Sequence, residues 1–273
     1  MADLPQTTHI RLDLRGPVLH VWLDRPEMRN AVGPQMVREI AATFAAIAAD
    51  LSVRVVVLRG SGGTFCAGGD IKSMSAAHEA PPAGASDELK DNNRRFGAML
   101  EAVNAAPQVV IAAVEGYAMG GGFGLACVAD ITIAATDARF AMSEVMIGVV
   151  AAAISPFVVQ RIGLTAARRL AVTGLRLDGA EAVEVGIAHL TVIDAAALDD
   201  AVRDACNQVL KCGPAAIAAS KRLMLRAAGP NAMPELLTAA ADAFAAAVRS
   251  PEGREGTKAF VEKRKPSWVA QVG

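Results

Sequence analysis

This sequence of 273 residues has few aromatic side chains and no marked excess of positive or negative charge. Only 4% of the residues are aromatic, and 27 Lys and Arg face 28 Asp and Glu, which leaves a formal net charge of -1. Without a basic excess, the chain has no general field to hold the phosphates of a nucleic acid. Hydrophobic residues make up 53% of the chain. This share excludes a disordered chain and predicts a substantial core.

The chain also lacks a long apolar run, a visible signal sequence and a metal-ligand pattern. Its longest apolar runs, residues 116–129 and 145–159, have 14 and 15 residues, whereas a bilayer helix needs roughly 20. No basic stretch leads into an apolar one at the start of the chain, so we expect a cytoplasmic protein with no membrane partner. The four cysteines form no CxxC pair and the four histidines are scattered. We therefore expect reduced core thiols and no metal site.

Strand and helix patterns alternate along the first part of the chain. Residues 10–14 and 18–23 resemble a hairpin, residues 36–49 have helical periodicity, and buried strands are predicted at 53–58, 109–114 and 131–135. Buried strands that alternate with helices indicate parallel βα units. A low-complexity stretch at 80–86 predicts an excursion between residues 73 and 91.

Strand signals stop near residue 198. Four helices are predicted beyond it, at 200–210, 215–227, 234–248 and 255–265. The sequence therefore predicts an α/β region over residues 1–198 and a helical region over residues 199–273.

Two glycine-rich turns follow buried strands. They read TFCAGGDIK at 64–72 and GYAMGGGFG at 116–124. Glycine lets a backbone approach a ligand closely, and a helix start leaves N–H groups unpaired. Two such turns side by side would offer two donors to one oxygen, which is an oxyanion hole. For either turn considered alone, tight packing is a better explanation than an oxyanion hole. Neither turn fits the pattern of a nucleotide-binding loop.

A carboxylate stands beside an apolar run at Glu144, within FAMSEVMIG at 140–148. Burial there would raise the pKa of Glu144 and suit it to proton transfer. The sequence is equally consistent with Glu144 as an exposed loop residue or as one member of a structural ion pair.

Four motifs in chain order resemble those of the enoyl-CoA hydratase/isomerase family, which has the crotonase fold. They are LDRPEMRNAV at 23–32, FCAGGDIK at 65–72, GYAMGGGFGLACVAD at 116–130 and FVEKRK at 260–265. Together they span nearly the whole chain, which makes them far more specific than one glycine pattern.

The resemblance implies an α/β fold in which ββα units form a spiral, with a helical C-terminal region that supports a homotrimer or a homohexamer. It implies an acyl-CoA thioester as substrate and no separate cofactor or metal. The thioester carbonyl would lie between the backbone N–H groups of Gly69 and Gly121, with Glu144 as the acid–base residue. Other residues that would contact the substrate are Arg25, Ala67, Gly68, Ile71, Gly120, Gly124, Phe260 and Lys263, the last two often across a subunit boundary.

One position departs from the family pattern. Hydratases of the family with two catalytic carboxylates carry one at the position of Gly124 and one at that of Glu144, and this chain keeps only the second. A further resemblance, in GFGL at 122–125, MSEVMIG at 142–148 and ISPFVVQRIG at 154–163, is to a bacterial branch similar to methylglutaconyl-CoA and isohexenylglutaconyl-CoA hydratases. That branch tends to have glycine at this position, where we expect it to make room for a bulky acyl group.

The resemblance therefore predicts a lyase that hydrates a 2-enoyl-CoA, with a branched glutaconyl-CoA as the finer expectation. Three alternatives remain. The single glutamate favours a Δ3-Δ2 enoyl-CoA isomerase. A non-catalytic acyl-CoA-binding protein would keep the fold without turnover. A thioester hydrolase with Cys66 or Ser143 as nucleophile is less favoured, since no GxSxG motif supports it.

Overall fold

The computed structural model describes residues 3–71, 81 and 85–272. The predicted excursion at 80–86 lies mostly outside the described residues. The strands are β1 (Ile10–Arg15), β2 (Val18–Leu23), β3 (Val55–Gly60), β4 (Val109–Val114), β5 (Tyr117–Met119), β6 (Ile131–Ala135), β7 (Arg139–Ala141) and β8 (Leu190–Val192). The helices are α1 (Pro34–Ile47), α2 (Glu88–Ala105), α3 (Gly121–Val128), α4 (Ser155–Thr173), α5 (Gly179–Glu184), α6 (Ala195–Val209), α7 (Pro214–Ala227), α8 (Met233–Arg249) and α9 (Pro251–Val261).

A six-stranded sheet in the order β1-β2-β3-β4-β6-β8 organises the fold. The β1–β2 hairpin is antiparallel, and every later pairing in this sheet is parallel. Strands β3 and β4 are buried along their whole length, because helices cover both faces of a parallel sheet. A second sheet pairs β5 with β7 in parallel. This arrangement of parallel strands joined through helices confirms the predicted α/β class.

The core lies on both faces of the six-stranded sheet. Helices α1, α2, α3 and α4 contribute to the larger cluster on one face, together with Phe65, Phe123 and Phe140. Helix α6 covers the other face through Leu198, Val202 and Val209. The division expected between residues 198 and 199 falls inside α6, and the two-region description stays a prediction.

The C-terminal helices α7, α8 and α9 pack against one another. Neither α7 nor α8 buries a single residue of its own, and both carry large exposed apolar side chains. These are Met224, Met233, Leu237, Phe244 and Val248. Exposed apolar side chains of this size are compatible with the predicted assembly, which stays a prediction.

The predicted elements are found with modest shifts at their ends. Strands β4 and β6 have the predicted bounds, whereas β3 begins and ends two residues later than predicted. Three of the cysteines are buried, as expected, and Cys212 is exposed, which corrects the core assignment for that residue. Among the described residues, no helix is long and apolar enough to cross a membrane. The cytoplasmic location stays a prediction.

Candidate active site

The two glycine turns lie side by side and are joined by backbone hydrogen bonds. The N–H of Cys66 donates to the carbonyl of Tyr117 at 2.7 Å, and the N–H of Met119 donates to the carbonyl of Cys66 at 2.9 Å. A Cβ on Gly122 would lie 2.6 Å from the Cβ of Cys66, so only glycine permits this approach. The structure thus brings the two motifs together, as the oxyanion-hole hypothesis requires.

The backbone N–H groups of Gly69 and Gly121 are the candidate oxyanion donors. Within the described part of the chain, neither N–H donates a hydrogen bond. Gly121 is the first residue of α3, so its N–H lacks an intrahelical partner and stands at the positive end of the helix dipole. Gly68 (φ 110°) and Gly120 (φ 46°), which precede the two donors, have backbone conformations that favour glycine. The two turns can therefore present two N–H groups to one ligand oxygen.

Glu144 begins a short 3-10 turn (Glu144–Ile147) beside the second glycine turn. An ideal Cβ built on Gly120 would lie 3.0 Å from the Oε1 of Glu144, which places the carboxylate against the residue before the Gly121 donor. The Oε2 atom is buried and has no hydrogen-bond partner within the described residues. Burial raises the pKa of Glu144 above its ordinary value. This confirms the predicted direction and favours a proton-transfer group over a structural ion pair.

The space beside Gly124 is filled by the protein itself. A Cβ at this position would lie 2.4 Å from the Cγ2 of Ile154 and 3.4 Å from the Cδ1 of Leu100. Both side chains are buried in the core. The expectation that Gly124 makes room for a bulky acyl group is therefore corrected, because the glycine makes room for Ile154.

The first glycine turn carries the other predicted contact residues. Ala67 is partly exposed, Gly68 is buried, and the side chain of Ile71 is exposed. The guanidinium of Arg25 is not free, since its Nη1 lies 3.4 Å from the Oδ2 of Asp70. Ile71 therefore offers an apolar surface at the rim of the turn, whereas Arg25 is engaged with its own chain.

Phe260 and Lys263 lie at the end of the C-terminal helices. Helix α9 packs on α7 and α8, and Phe260 is 86% exposed. No hydrogen bond or ion pair within the described residues joins either side chain to the glycine turns. Their predicted role at the coenzyme A site, in which they reach a neighbouring subunit, stays a prediction.

Two residues that the sequence analysis did not single out, Phe96 and Asn30, shape this site. An ideal Cβ on Gly121 would lie 3.2 Å from the Cζ of Phe96, so the tip of this ring stands over the second donor. Asn30 is fully buried, and its Nδ2 donates to the carbonyls of Ser61 and Thr64 at 2.9 and 2.6 Å. The place of Asn30 within a family motif was a usable signal, whereas Phe96 belongs to no motif.

Cys66 can be assessed as the nucleophile of a hydrolase. The thiol is fully buried, and burial raises its pKa to about 12. At neutral pH the group stays a protonated thiol, which is a weak nucleophile. The structure therefore does not favour the hydrolase alternative with this residue.

Comparison with known proteins gives concordant results. Residues 14–271 match the family described as Enoyl-CoA hydratase/isomerase. The chain is similar to the carnitinyl-CoA dehydratase of Proteus mirabilis, with 33% identity over 265 residues, which cover 95% of this chain and 97% of the relative.

Two solved structures are more similar in sequence. An enoyl-CoA hydratase/isomerase from Marinobacter aquaeolei has 49% identity and a TM-score of 0.92, and the match covers 96% of this chain and 99% of the other. Pseudomonas aeruginosa AtuE has 48% identity and a TM-score of 0.91, with 96% and 100% of the two chains covered.

Proposed function

This chain belongs to the enoyl-CoA hydratase/isomerase family and is an enoyl-CoA hydratase of the crotonase fold, and we propose that it adds water to a branched 2-enoyl-CoA with Glu144 as its only acid–base carboxylate. The acyl-CoA class of substrate follows from the family. The branched acyl group, the site residues and the assembly are the parts that we propose.

The buried and unpartnered Oε2 of Glu144 is the observation that carries the proposal. A buried polar atom without a partner costs free energy, of the order of 1 to 3 kcal/mol for a neutral group and more for a charged one. Such a cost is tolerated where a ligand or a reacting proton supplies the missing partner. Glu144 stands beside Gly120, and the adjacent Gly121 N–H also has no partner among the residues that the structure describes.

The reaction can be written with these groups alone. The Glu144 carboxylate takes a proton from water, and the water oxygen bonds to the β-carbon of the enoyl group. The electron pair of the double bond moves to the thioester oxygen, where the N–H groups of Gly69 and Gly121 stabilise the enolate. Glu144 then returns the proton to the α-carbon. Loss of one such donor typically lowers turnover by about 10²- to 10³-fold, so the pair supplies a large share of the catalysis.

The finer substrate assignment rests on the sequence of the site. Gly124, the Glu144 segment and the start of α4 resemble the branched glutaconyl-CoA hydratases described above. The exposed apolar side chains of α7 and α8 support assembly as a trimer or a hexamer, in which Phe260 and Lys263 would reach coenzyme A on a neighbour.

Isomerisation is the second candidate, and one observation favours it. Moving a double bond from Δ3 to Δ2 requires one group that takes a proton from the α-carbon and returns it to the γ-carbon. A single carboxylate beside an oxyanion hole can perform both steps. Glu144 would then act without water.

A panel of three thioesters distinguishes these functions. Purified protein is incubated with 3-methylglutaconyl-CoA, crotonyl-CoA and 3-hexenoyl-CoA, and the products are identified by mass spectrometry. We expect hydration of the branched substrate at the highest kcat/KM, and turnover lower by about two or more orders of magnitude with Glu144→Gln. Preferred conversion of 3-hexenoyl-CoA without gain of water would replace the proposal by isomerisation. Binding without turnover of any thioester would indicate a non-catalytic acyl-CoA-binding protein.

A further inference from the structure

The loop of residues 24–32 lies along the first glycine turn and is hydrogen-bonded to it at several points. We refer to it as the Asn30 loop. The N–H of Ala67 donates to the carbonyl of Arg29 at 2.9 Å, and the N–H of Val32 donates to the carbonyl of Gly68 at 2.8 Å. The N–H of Asp70 returns a bond to the carbonyl of Val32 at 3.0 Å. Gly69 is therefore held between two bonds to Val32, and its own N–H donates to none of the described residues.

An ion pair ties the side chains of this region together. The Nη1 of Arg25 lies 3.4 Å from the Oδ2 of Asp70 and donates to the carbonyl of Ala31 at 3.2 Å. The side chains of Arg25 and Asp70 are only 17% and 16% exposed. The pair therefore connects the start of the Asn30 loop to the residue that directly follows Gly69.

The backbone around Arg25 is itself fixed. Its N–H donates to the Oδ1 of Asn30 at 2.9 Å, and its carbonyl accepts from the N–H of Asn30 at 2.9 Å. The nearby carboxylate of Glu27 lies 3.8 Å from Arg25 but is largely exposed, so it contributes little. Arg25 is thus a rigid anchor, and Asp70 is the carboxylate that meets it in a mostly buried place.

A guanidinium in this position has two possible uses. It could bind a phosphate of coenzyme A, as the sequence resemblance implies for Arg25. In the structure, however, its Nη1 is already engaged by Asp70 and Ala31. Removing Arg25 takes away the guanidinium that lies beside Asp70, and removing Asp70 takes away the carboxylate that lies beside the Nη1 of Arg25. The turn that carries Gly69 would then lose a fixed point directly beside the donor.

We infer that Arg25 and Asp70 are positioning residues for the first oxyanion donor, and that their ion pair sets the direction of the Gly69 N–H. The inference rests on the proposed function only in requiring that this N–H polarise a thioester carbonyl. It assigns Arg25 an effect on turnover, in contrast to a direct contact with coenzyme A. Geometry at an oxyanion hole must be held within roughly 0.5 Å, so a small displacement is sufficient to slow the reaction.

Three variants test the pair kinetically, namely Arg25→Met, Asp70→Asn and the double variant. We expect each single change to lower kcat by about tenfold while KM stays within about twofold, because an interaction made in the transition state is lost. The double variant should be no slower than the slower single variant, since the two side chains act as one unit. Arg25→Lys keeps the charge and should recover part of the lost kcat. Arg203→Met is the matched control, because Arg203 pairs with Asp200 at 2.8 Å on the exposed side of α6, a helix that packs on the other face of the sheet.

A chromophoric thioester gives a readout that does not depend on turnover. The absorption of 4-dimethylaminocinnamoyl-CoA moves to longer wavelength when its carbonyl is polarised. We expect the full shift with the wild type and Arg203→Met, and a smaller shift at saturation with Arg25→Met and Asp70→Asn.

Four outcomes would overturn the inference. The first is a KM that rises tenfold in Arg25→Met while kcat and the wavelength shift are unchanged, which would make Arg25 a coenzyme A ligand. The second is a double variant in which the two kcat losses multiply, which would make the side chains independent. A wild type without any wavelength shift would overturn the proposed function, and this inference with it, whereas full shifts in all variants would overturn the inference alone.

Discussion

Replacement of Gly124 by alanine should destabilise the protein, although alanine is the better helix former. Gly124 lies within α3, where the change from glycine to alanine normally stabilises a helix by about 1 kcal/mol. Here the new Cβ would lie 2.4 Å from the Cγ2 and 3.1 Å from the Cβ of Ile154. Carbon atoms in contact are normally about 3.5 to 4.0 Å apart, so the buried Ile154 must move by about 1 Å.

The magnitude follows from these two opposing effects. Overpacking of a core costs about 1 to 3 kcal/mol, and the helix preference returns about 1 kcal/mol of it. We therefore expect Gly124→Ala to lower the free energy of unfolding by up to about 2 kcal/mol. In an Ile154→Ala background the opposing methyl group is gone, and the same substitution should stabilise the protein. The sign of the effect at residue 124 thus depends on the side chain at residue 154.

Thermal and urea unfolding of four proteins would measure this coupling: the wild type, the two single variants and the double variant. Ile154→Val is an informative partner because valine retains the Cγ2 atom and should not relieve the contact. Gly97→Ala is the matched control, since a Cβ at that helical position would lie at an ordinary 3.7 Å from Ala153. If Gly124→Ala stabilises the wild type as Gly97→Ala does, Ile154 does not fill this space. Gly124→Glu would then be able to add a second carboxylate, which the present contacts exclude.

Four further outcomes are expected. Glu144→Gln should lower turnover by about two or more orders of magnitude with little change in thioester binding, measured by steady-state kinetics and calorimetry. Because the pKa of Glu144 is raised, the acidic limb of kcat/KM against pH should lie above the range of an ordinary glutamate in the wild type. The folded state binds the Glu144 proton more tightly than the unfolded state, so this residue favours folding at acid pH, and the contribution is lost as the pH rises through the raised pKa. The difference in melting temperature between Glu144→Gln and the wild type should therefore be more in favour of the variant at pH 8 than at pH 4. Light scattering at micromolar concentration should give the mass of a trimer or a hexamer, and a monomer would contradict the role proposed for the exposed faces of α7 and α8.

The strands could be predicted where burial alone determines them. Strands β4 and β6 consist almost entirely of apolar residues and have the predicted bounds. Strand β3 continues to Gly60 because Arg59 pairs with Glu115 and lies over the ring of Trp22. These partners are distant in sequence, so the charge at residue 59 resembled the end of a strand. A charged residue in a buried strand cannot be recognised until its partners are known.

The last helix shows a second kind of error. Prediction placed it at 255–265, whereas α9 spans Pro251–Val261. Its start is set by the hydroxyl of Ser250, which accepts from the N–H of Gly253, and its end precedes Lys263, which has a φ of 54°. Gly253 and Gly256 weakened the helical sequence pattern at the start of α9. Both glycines are required by close neighbours, since a Cβ on Gly256 would lie 2.7 Å from the ring of Trp268.

The candidate site likewise contains features that the sequence predicts and side-chain contacts that it does not predict. The glycine turns and Glu144 could be recognised because each lies in a short motif that can be read directly from consecutive residues of the sequence. Phe96 and Ile154 could not, because each meets α3 from a different helix or loop, and no local pattern records that meeting.

These side chains also explain why one carboxylate can be sufficient. A second carboxylate near Glu144 would repel it, and the two groups would titrate as a coupled pair. Ile154 and Leu100 fill the space beside Gly124, and burial is the main cause of the raised pKa of Glu144. If Glu144 is the acid–base residue, as we propose, it titrates without a second carboxylate at residue 124. Under that proposal the glycine at residue 124 contributes to the acid–base chemistry, because it admits Ile154 in place of a second charged group.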